Sequence, residues 1–200
     1  MVHSDASFRR EGDKGYAMRG SAYLRCGLLN GKLVVHFLMA MGKSQNLVTC
    51  STYAAELLAA ASSVDQSTPL LITMQEFSQG PLAAHYLKEL RQNGGYLFEL
   101  ELCIDAKSVY DSLVSLMVKT SGEASLLGHL LWLREFLSKR IITSLVWTDT
   151  RDMIADGLAK GAIPRGLLLA AMEGKYQLQH ESFRHLPAKT KLEETELDNL

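Results

Sequence analysis

Four acidic residues, from four separated segments of the sequence, are of the type that binds divalent metal ions. Asp5 lies in VHSDASF, Glu56 in STYAAELLAA, Asp105 at the end of YLFELELCIDA and Asp156 in DMIADGLAKG. Mg²⁺ prefers hard oxygen ligands and keeps several waters, so a few converging carboxylates suffice to bind it. Two such ions can activate a water and neutralise the leaving oxygen of a phosphodiester. Metal-dependent phosphodiester hydrolysis is therefore one hypothesis, provided that the fold brings the acids together.

Each of these acids also has a purely structural explanation. Asp5 can end a strand, Glu56 can be a surface acid on an Ala-rich helix, and Asp156 can lie on a solvated helix face. Asp105 can cap the helix that follows it, a role that is compatible with metal binding. The choice between the two explanations depends on the elements that position the acids.

The hydrophobic pattern predicts an alternation of strands and helices. The pattern predicts two strands within residues 2–29. The Asn30-Gly31 turn leads into a third strand, KLVVHFLMAM, which we expect to be buried on both faces. A helix begins near Ser51, and LLITM either continues it or forms a short strand. The later elements are a helix from Pro81, a fourth strand over 96–106, two helices, a fifth strand over 142–148 and two closing helical segments.

This order predicts an α/β domain with a five-stranded mixed sheet flanked by helices. The first three strands are antiparallel, and the helical crossovers make the last two parallel. Active sites of open α/β sheets lie at the carboxyl ends of strands, where this order places Asp105. We assign residues 1–172 to the domain and 173–200 to a C-terminal extension, whose acidic end, LEETELDNL, we expect to be solvated or flexible.

The composition excludes several classes of protein. Hydrophobic residues make up 47% and charged residues 22%, which is typical of a globular protein, and a net charge of −1 provides no general attraction to nucleic acid. Three cysteines without a CxxC pair argue against a disulfide framework or a zinc site. The N-terminal segment lacks the apolar stretch of a secretory signal, and no apolar run approaches 18 residues. We therefore expect an intracellular protein, cytoplasmic or nuclear, with no membrane partner.

Taken together, the motifs resemble the ribonuclease H domain of copia-type retroelement polyproteins, within the ribonuclease H-like superfamily. The matching segments are SDAS at 4–7, STYAAELLAA at 51–60 and CIDAKSVYDSL at 103–113. The most specific is LVWTDTRDMIADGLAKG at 145–161, with its ADxLxK block. The resemblance covers roughly residues 2–165.

The resemblance implies a fold, an activity and a metal. It implies a ribonuclease H-like fold and an endonuclease that hydrolyses the RNA strand of RNA/DNA hybrids, using two Mg²⁺ ions, or Mn²⁺ in their place. Asp5 would bridge both ions, Glu56 and Asp105 would complete one site, and Asp156 would help to hold the other.

The sequence also departs from the family pattern, and two other acids could take the role of Asp156. Asp149 and Asp152 compete with Asp156 for its role, although Asp152 is better placed as a helix N-cap and Asp149 as a loop acid. Ala106 stands where the family has Asn, and residues 148–155 lack the His that cellular members carry. Asp105 follows Glu56 by 49 positions, which exceeds the usual spacing and suggests an insertion.

Basic residues near the first and fifth strands are candidates for substrate binding. An RNA/DNA hybrid would be bound through its backbone and recognised through 2′-OH contacts. A reverse transcriptase domain of the same polyprotein would add affinity by raising the effective concentration. The alternatives are an inactive tethering or interaction domain and a DNA-acting nuclease of the same fold. The basic residues are Arg9, Arg10, Lys14 and Arg19 after the first strand, and Lys139 and Arg140 before the fifth.

Overall fold

The protein is a mixed α/β structure built on one twisted sheet. The computed structural model describes residues 1–8, 17–30, 32–46, 49–117, 124–161 and 164–187. The strands are β1 (Val2–Ser7), β2 (Met18–Leu29), β3 (Lys32–Ser44), β4 (Glu101–Ile104), β5 (Ser144–Thr148) and β6 (Ser182–His185). The helices are α1 (Thr52–Gln79), α2 (Ala84–Asn93), α3 (Lys107–Val114), α4 (Ala124–Ser138), α5 (Asp156–Ala159) and α6 (Gly166–Met172).

The strand order across the sheet is β3-β2-β1-β4-β5-β6. β1, β2 and β3 form the predicted antiparallel meander, and β1, β4 and β5 are parallel neighbours. The prediction of five strands was short by one, because β6 pairs antiparallel with β5 at the edge of the sheet. The expectation that β3 is buried on both faces was wrong: β3 is the opposite edge strand, and only Val35 is buried among its described side chains.

Two apolar cores cover the two faces of the sheet. Strand alternation sends Tyr23 to the core beneath α1, α3 and α4, while its neighbours Ala22 and Leu24 pack against Ile154, Ala171 and Tyr176 on the other face. The LLITM segment does not form a strand but continues α1, which runs for 28 residues. Within the described ranges, no helix combines the length and apolarity that crossing a membrane requires.

Some of the described residues beyond 172 also belong to the packed structure. Tyr176 is buried in the second core, and residues 182–185 complete the sheet as β6. The division of the chain after residue 172 stays a prediction. The acidic end of the predicted extension lies outside the described residues.

Candidate active site

Two of the four acids stand side by side at the carboxyl ends of parallel strands. β1 and β4 are in register with Ser4 opposite Ile104, so the next residue on each strand is an aspartate. Asp5 is the fourth residue of β1, and Asp105 directly follows β4. The central position of these strands places the pair in the middle of one end of the sheet, where α/β proteins bind ligands.

Helix α1 adds Glu56 to this pair. The Ser51 side chain caps the helix by accepting a hydrogen bond from the backbone N–H of Ala54 at 3.1 Å. Small side chains at Ala6, Ala55 and Ala59 pack together and allow the helix to lie close to β1. As a result, Glu56 Oε2 accepts a hydrogen bond from the backbone N–H of Ala6 at 3.0 Å.

Asp5, Glu56 and Asp105 form a compact cluster that suits a hard divalent cation. Each offers a carboxylate oxygen, and these oxygens lie within 4.8 Å of one another. Asp5 is fully buried, and its Oδ2 has no hydrogen-bond partner among the residues that the structure describes. A buried carboxylate oxygen without a partner is costly, and a bound Mg²⁺ would compensate for it. The donor set thus fits the metal that the motif resemblance implies.

The electrostatics of the cluster lead to the same conclusion. Burial raises the pKa of Asp5 to about 8, and the negative charges of Asp105 and Asp156 add to this rise. Burial raises the pKa of Glu56 to about 9, with the charge of Asp5 as the next cause. Burial also raises the pKa of Asp105 above its ordinary value. Without a divalent ion the cluster therefore retains protons at neutral pH even beside the Lys160 ammonium group, whereas a divalent ion favours the ionised carboxylates.

Asp105 is held by β5 and by the segment that follows it. The Thr150 hydroxyl donates to Asp105 Oδ2 at 3.0 Å, and Trp147 Nε1 donates to the Asp105 backbone carbonyl at 2.8 Å. The alternative that Asp105 caps the next helix is wrong, because the N-cap of α3 is Ala106 and that helix has no side-chain cap bond. The Thr150 hydroxyl therefore orients the carboxylate, and Trp147 holds the backbone of the same residue.

Asp156 reaches the cluster through Lys160. Asp156 is the first residue of α5, and Lys160 follows one helical turn later. The Lys160 ammonium lies 3.2 Å from Asp5 Oδ1 and also forms an ion pair with Asp156 Oδ1. Burial opposes the charge of Lys160, but the hydrogen bond with Asp156 and the charge of Asp5 raise its pKa overall.

Helix α5 can approach the acids because β2 and β3 carry glycines beneath it. A Cβ atom on Gly20 would lie 2.5 Å from the carbonyl oxygen of Ala155 and 2.8 Å from the backbone nitrogen of Ala159. A Cβ on Gly42 would lie 2.9 Å from the carbonyl oxygen of Leu158. The backbone of α5 therefore rests directly on the sheet, and this contact sets the position of Asp156 and Lys160.

Asp149 and Asp152, the alternative candidates for the role of Asp156, bind groups outside the acid cluster. Asp149 caps the short 3₁₀ turn at Thr150–Asp152 and pairs with Arg151, whose hydrogen bonds lower the Asp149 pKa. Asp152 is buried and accepts hydrogen bonds from the backbone N–H groups of Gln179 and His180. The interpretation of Asp152 as a helix N-cap was therefore wrong: Asp149 is the cap, and Asp152 anchors the segment before β6.

The predicted basic residues do not gather at one place. Arg19 pairs with Ala6, beside Asp5, and lines a groove of about 600 Å³ that includes Trp132 of α4. Lys139 lies before the amino end of β5, the end of the sheet opposite the acids, and pairs with Glu135 at 2.6 Å. Arg140 lies beside it, so the structure does not bring these two to the acid cluster. Arg9, Arg10 and Lys14 fall outside the described residues.

Two residues at this end of the sheet were not singled out from the sequence. Lys160 appears there only as the last letter of the ADxLxK block, although its spacing of four from Asp156 indicates a shared helix face. Thr150 has no sequence signal that separates it from other loop hydroxyls. A third residue that was not singled out, His180, contacts Asp152 from a distant segment through Nδ1 at 2.9 Å.

Comparison with known proteins identifies the fold. No protein-family model and no curated protein matches the sequence. The structure is similar to the crystal structure of RNase H1 from the halophilic archaeon Halobacterium salinarum NRC-1, with a TM-score of 0.50 and 17% sequence identity. The match covers 80% of this chain and 94% of that chain. At this identity the likeness concerns architecture, and the chain has the ribonuclease H-like fold that the sequence predicted.

Proposed function

We propose that this chain is a ribonuclease H-type endonuclease that hydrolyses the RNA strand of RNA/DNA hybrids with two Mg²⁺ ions. The observation that carries the proposal is the convergence of Asp5, Glu56 and Asp105 within 4.8 Å at the carboxyl end of a ribonuclease H-like sheet. The motif order of the sequence further favours descent from a copia-type retroelement polyprotein.

In this proposal the protein holds and orients the metal ligands. Asp5, Glu56 and Asp105 would hold one ion, and Asp156, with Asp5, would help to hold the second. The Ala6 N–H fixes Glu56 and the Thr150 hydroxyl fixes Asp105, so both carboxylates are oriented before substrate binds. When bound, the two ions would supply an activated water and neutralise charge on the leaving oxygen.

Substrate binding in this proposal depends on a partner as well as on the chain. The near-neutral net charge of −1 favours weak binding to nucleic acid by the isolated chain. A reverse transcriptase domain in the same polyprotein would hold the hybrid nearby and raise its effective concentration. Arg19 is a candidate backbone contact because it pairs with Ala6, next to Asp5 in β1, and lines the groove between α1 and α4. The site of action would be intracellular, in the cytoplasm or the nucleus.

A substrate panel tests the proposed function. The chain is incubated with end-labelled RNA/DNA hybrid, duplex DNA and duplex RNA of one sequence, in Mg²⁺, in Mn²⁺ and in excess chelator. We expect the RNA strand of the hybrid to be cleaved when either metal is present and to remain intact in chelator. Preferential cleavage of duplex DNA would replace the proposal with a DNA-acting nuclease. Failure to bind metal and to cleave any substrate would support an inactive interaction domain.

A further inference from the structure

The acid cluster already contains one cation, the ammonium group of Lys160. Its Nζ lies 3.2 Å from Asp5 Oδ1 and is ion-paired with Asp156 Oδ1, so it joins the two acids that belong to different parts of the proposed site. The Lys160 side chain is about one-third exposed, whereas Asp5 is completely buried. The ammonium group therefore enters the cluster from its solvent side.

The position of this ammonium divides the four acids into two sets. Asp5, Glu56 and Asp105 bring three carboxylate oxygens within 4.8 Å of one another, which is the arrangement of a single cation site. Asp156 is connected to Asp5 by Lys160. A second divalent ion shared by Asp5 and Asp156 would have to occupy the region that the ammonium group now takes.

Charge makes simultaneous occupation unfavourable. An ammonium and a divalent ion in contact with the same two carboxylates repel each other, and the low local dielectric strengthens this repulsion. The lysine side chain is long and has several rotatable bonds, and its partial exposure gives it a route to solvent. Withdrawal of the ammonium group would free Asp5 Oδ1 and Asp156 Oδ1 for the incoming ion.

We propose that Lys160 is a resident cation that competes with the second divalent ion. The free protein then binds one divalent ion tightly, at Asp5, Glu56 and Asp105, and admits the second only when Lys160 leaves Asp5 and Asp156. Lys160 is thus a positioning residue that acts through these acids. This inference rests on the proposed function, because it concerns how the proposed two-ion site is filled.

Metal-binding stoichiometry in the absence of nucleic acid tests the inference. Mn²⁺ binding to the full chain is counted by electron paramagnetic resonance and by calorimetry, for the wild type, Lys160→Met and Lys160→Arg. We expect one tight site in the wild type and in Lys160→Arg, which keeps the positive charge. Lys160→Met should bind two ions, with the second site tightened by roughly tenfold or more. Lys160→Gln provides a second neutral variant, and circular dichroism in Mn²⁺ verifies that each variant is folded.

The outcomes separate this inference from the proposed function. Two equally tight sites in both the wild type and Lys160→Met would overturn competition by Lys160 while leaving the nuclease proposal intact. One site in every variant would also overturn it, because removal of the charge would then admit no second ion. Absence of Mn²⁺ binding throughout would overturn both proposals. Hybrid cleavage by the wild type, measured on the same preparation, tests the nuclease proposal independently.

Discussion

Replacement of Asp152 by Ala should strongly destabilise the fold, although this acid lies outside the candidate active site. The Asp152 side chain is 2% exposed and receives three hydrogen bonds from one short segment. The donors are the backbone nitrogens of Gln179 at 2.9 Å and His180 at 2.7 Å, and His180 Nδ1 lies 2.9 Å from Oδ1. These bonds attach the chain before β6 to the 3₁₀ turn after β5. Alanine would leave all three groups without this partner.

The size of the effect follows from these contacts. A hydrogen bond to a charged group contributes about 1.5–3 kcal/mol, but the bonds are not additive and His180 is partly accessible to water. We therefore expect Asp152→Ala to lower the free energy of unfolding by about 3 kcal/mol. In a chain of this length that corresponds to a fall in Tm of roughly 6–12 °C. Asp152→Asn keeps one acceptor oxygen for the two backbone N–H groups and should cost about 1 kcal/mol.

Urea unfolding and thermal melts of the matched variants measure this effect. Asp149→Ala is the control from the same loop: it removes a half-buried acid that caps the 3₁₀ turn and pairs with Arg151, so it should cost much less stability than Asp152→Ala. Wild-type stability in Asp152→Ala, or equal losses in Asp152→Ala and Asp149→Ala, would refute the anchoring role. A large loss in Asp152→Asn would instead indicate that the negative charge itself is required.

Two further predictions concern the site and its support. The folded-state pKa values of about 8 for Asp5 and about 9 for Glu56 exceed the ordinary carboxyl values. The metal-free fold should therefore lose stability as the pH rises from about 4 to about 9, because the folded state then holds protons that the unfolded state has released. Urea titrations measure this loss; excess Mg²⁺ should reduce it, and a flat metal-free profile would contradict the prediction. Gly20→Ala should lower stability by about 1–3 kcal/mol and weaken Mg²⁺ binding in calorimetry, because its Cβ would meet the α5 backbone. A Cβ atom on Gly27 would meet no atom within 4 Å, so the control Gly27→Ala should change neither stability nor Mg²⁺ binding. Equal effects of Gly20→Ala and Gly27→Ala would contradict the close packing of α5 on Gly20.

The sequence predicted the order of elements because most of the pattern is local. The meander, the crossover helices and the strands that carry Asp5 and Asp105 each have a hydrophobic period that can be recognised within a few residues. β6 could not be found in this way, because SFRH is short and largely exposed, and it is a strand only through pairing with β5. The end of α1 was equally ambiguous, since an apolar run such as LLITM fits either a helix or a strand.

The roles of individual polar residues depended on contacts that are distant in sequence. Asp152 precedes a helical segment, as an N-cap would, yet its hydrogen-bond donors lie 27 and 28 positions later in the chain. Lys160 contacts Asp5 across 155 positions, and no local pattern encodes that distance. The acids themselves were recognisable only as members of a motif series, since each one alone has an ordinary structural explanation.

Comparison of the wild type with Asp105→Asn tests most directly whether the acid cluster is a metal-dependent nuclease site. The measurement is the single-turnover rate of RNA cleavage in a labelled RNA/DNA hybrid with saturating Mg²⁺. Asparagine keeps the shape of the side chain but removes the charge that binds the ion, so we predict a fall of roughly a hundredfold or more with the fold intact by circular dichroism. Cleavage at the wild-type rate by folded Asp105→Asn would contradict the assignment of the cluster as the catalytic centre.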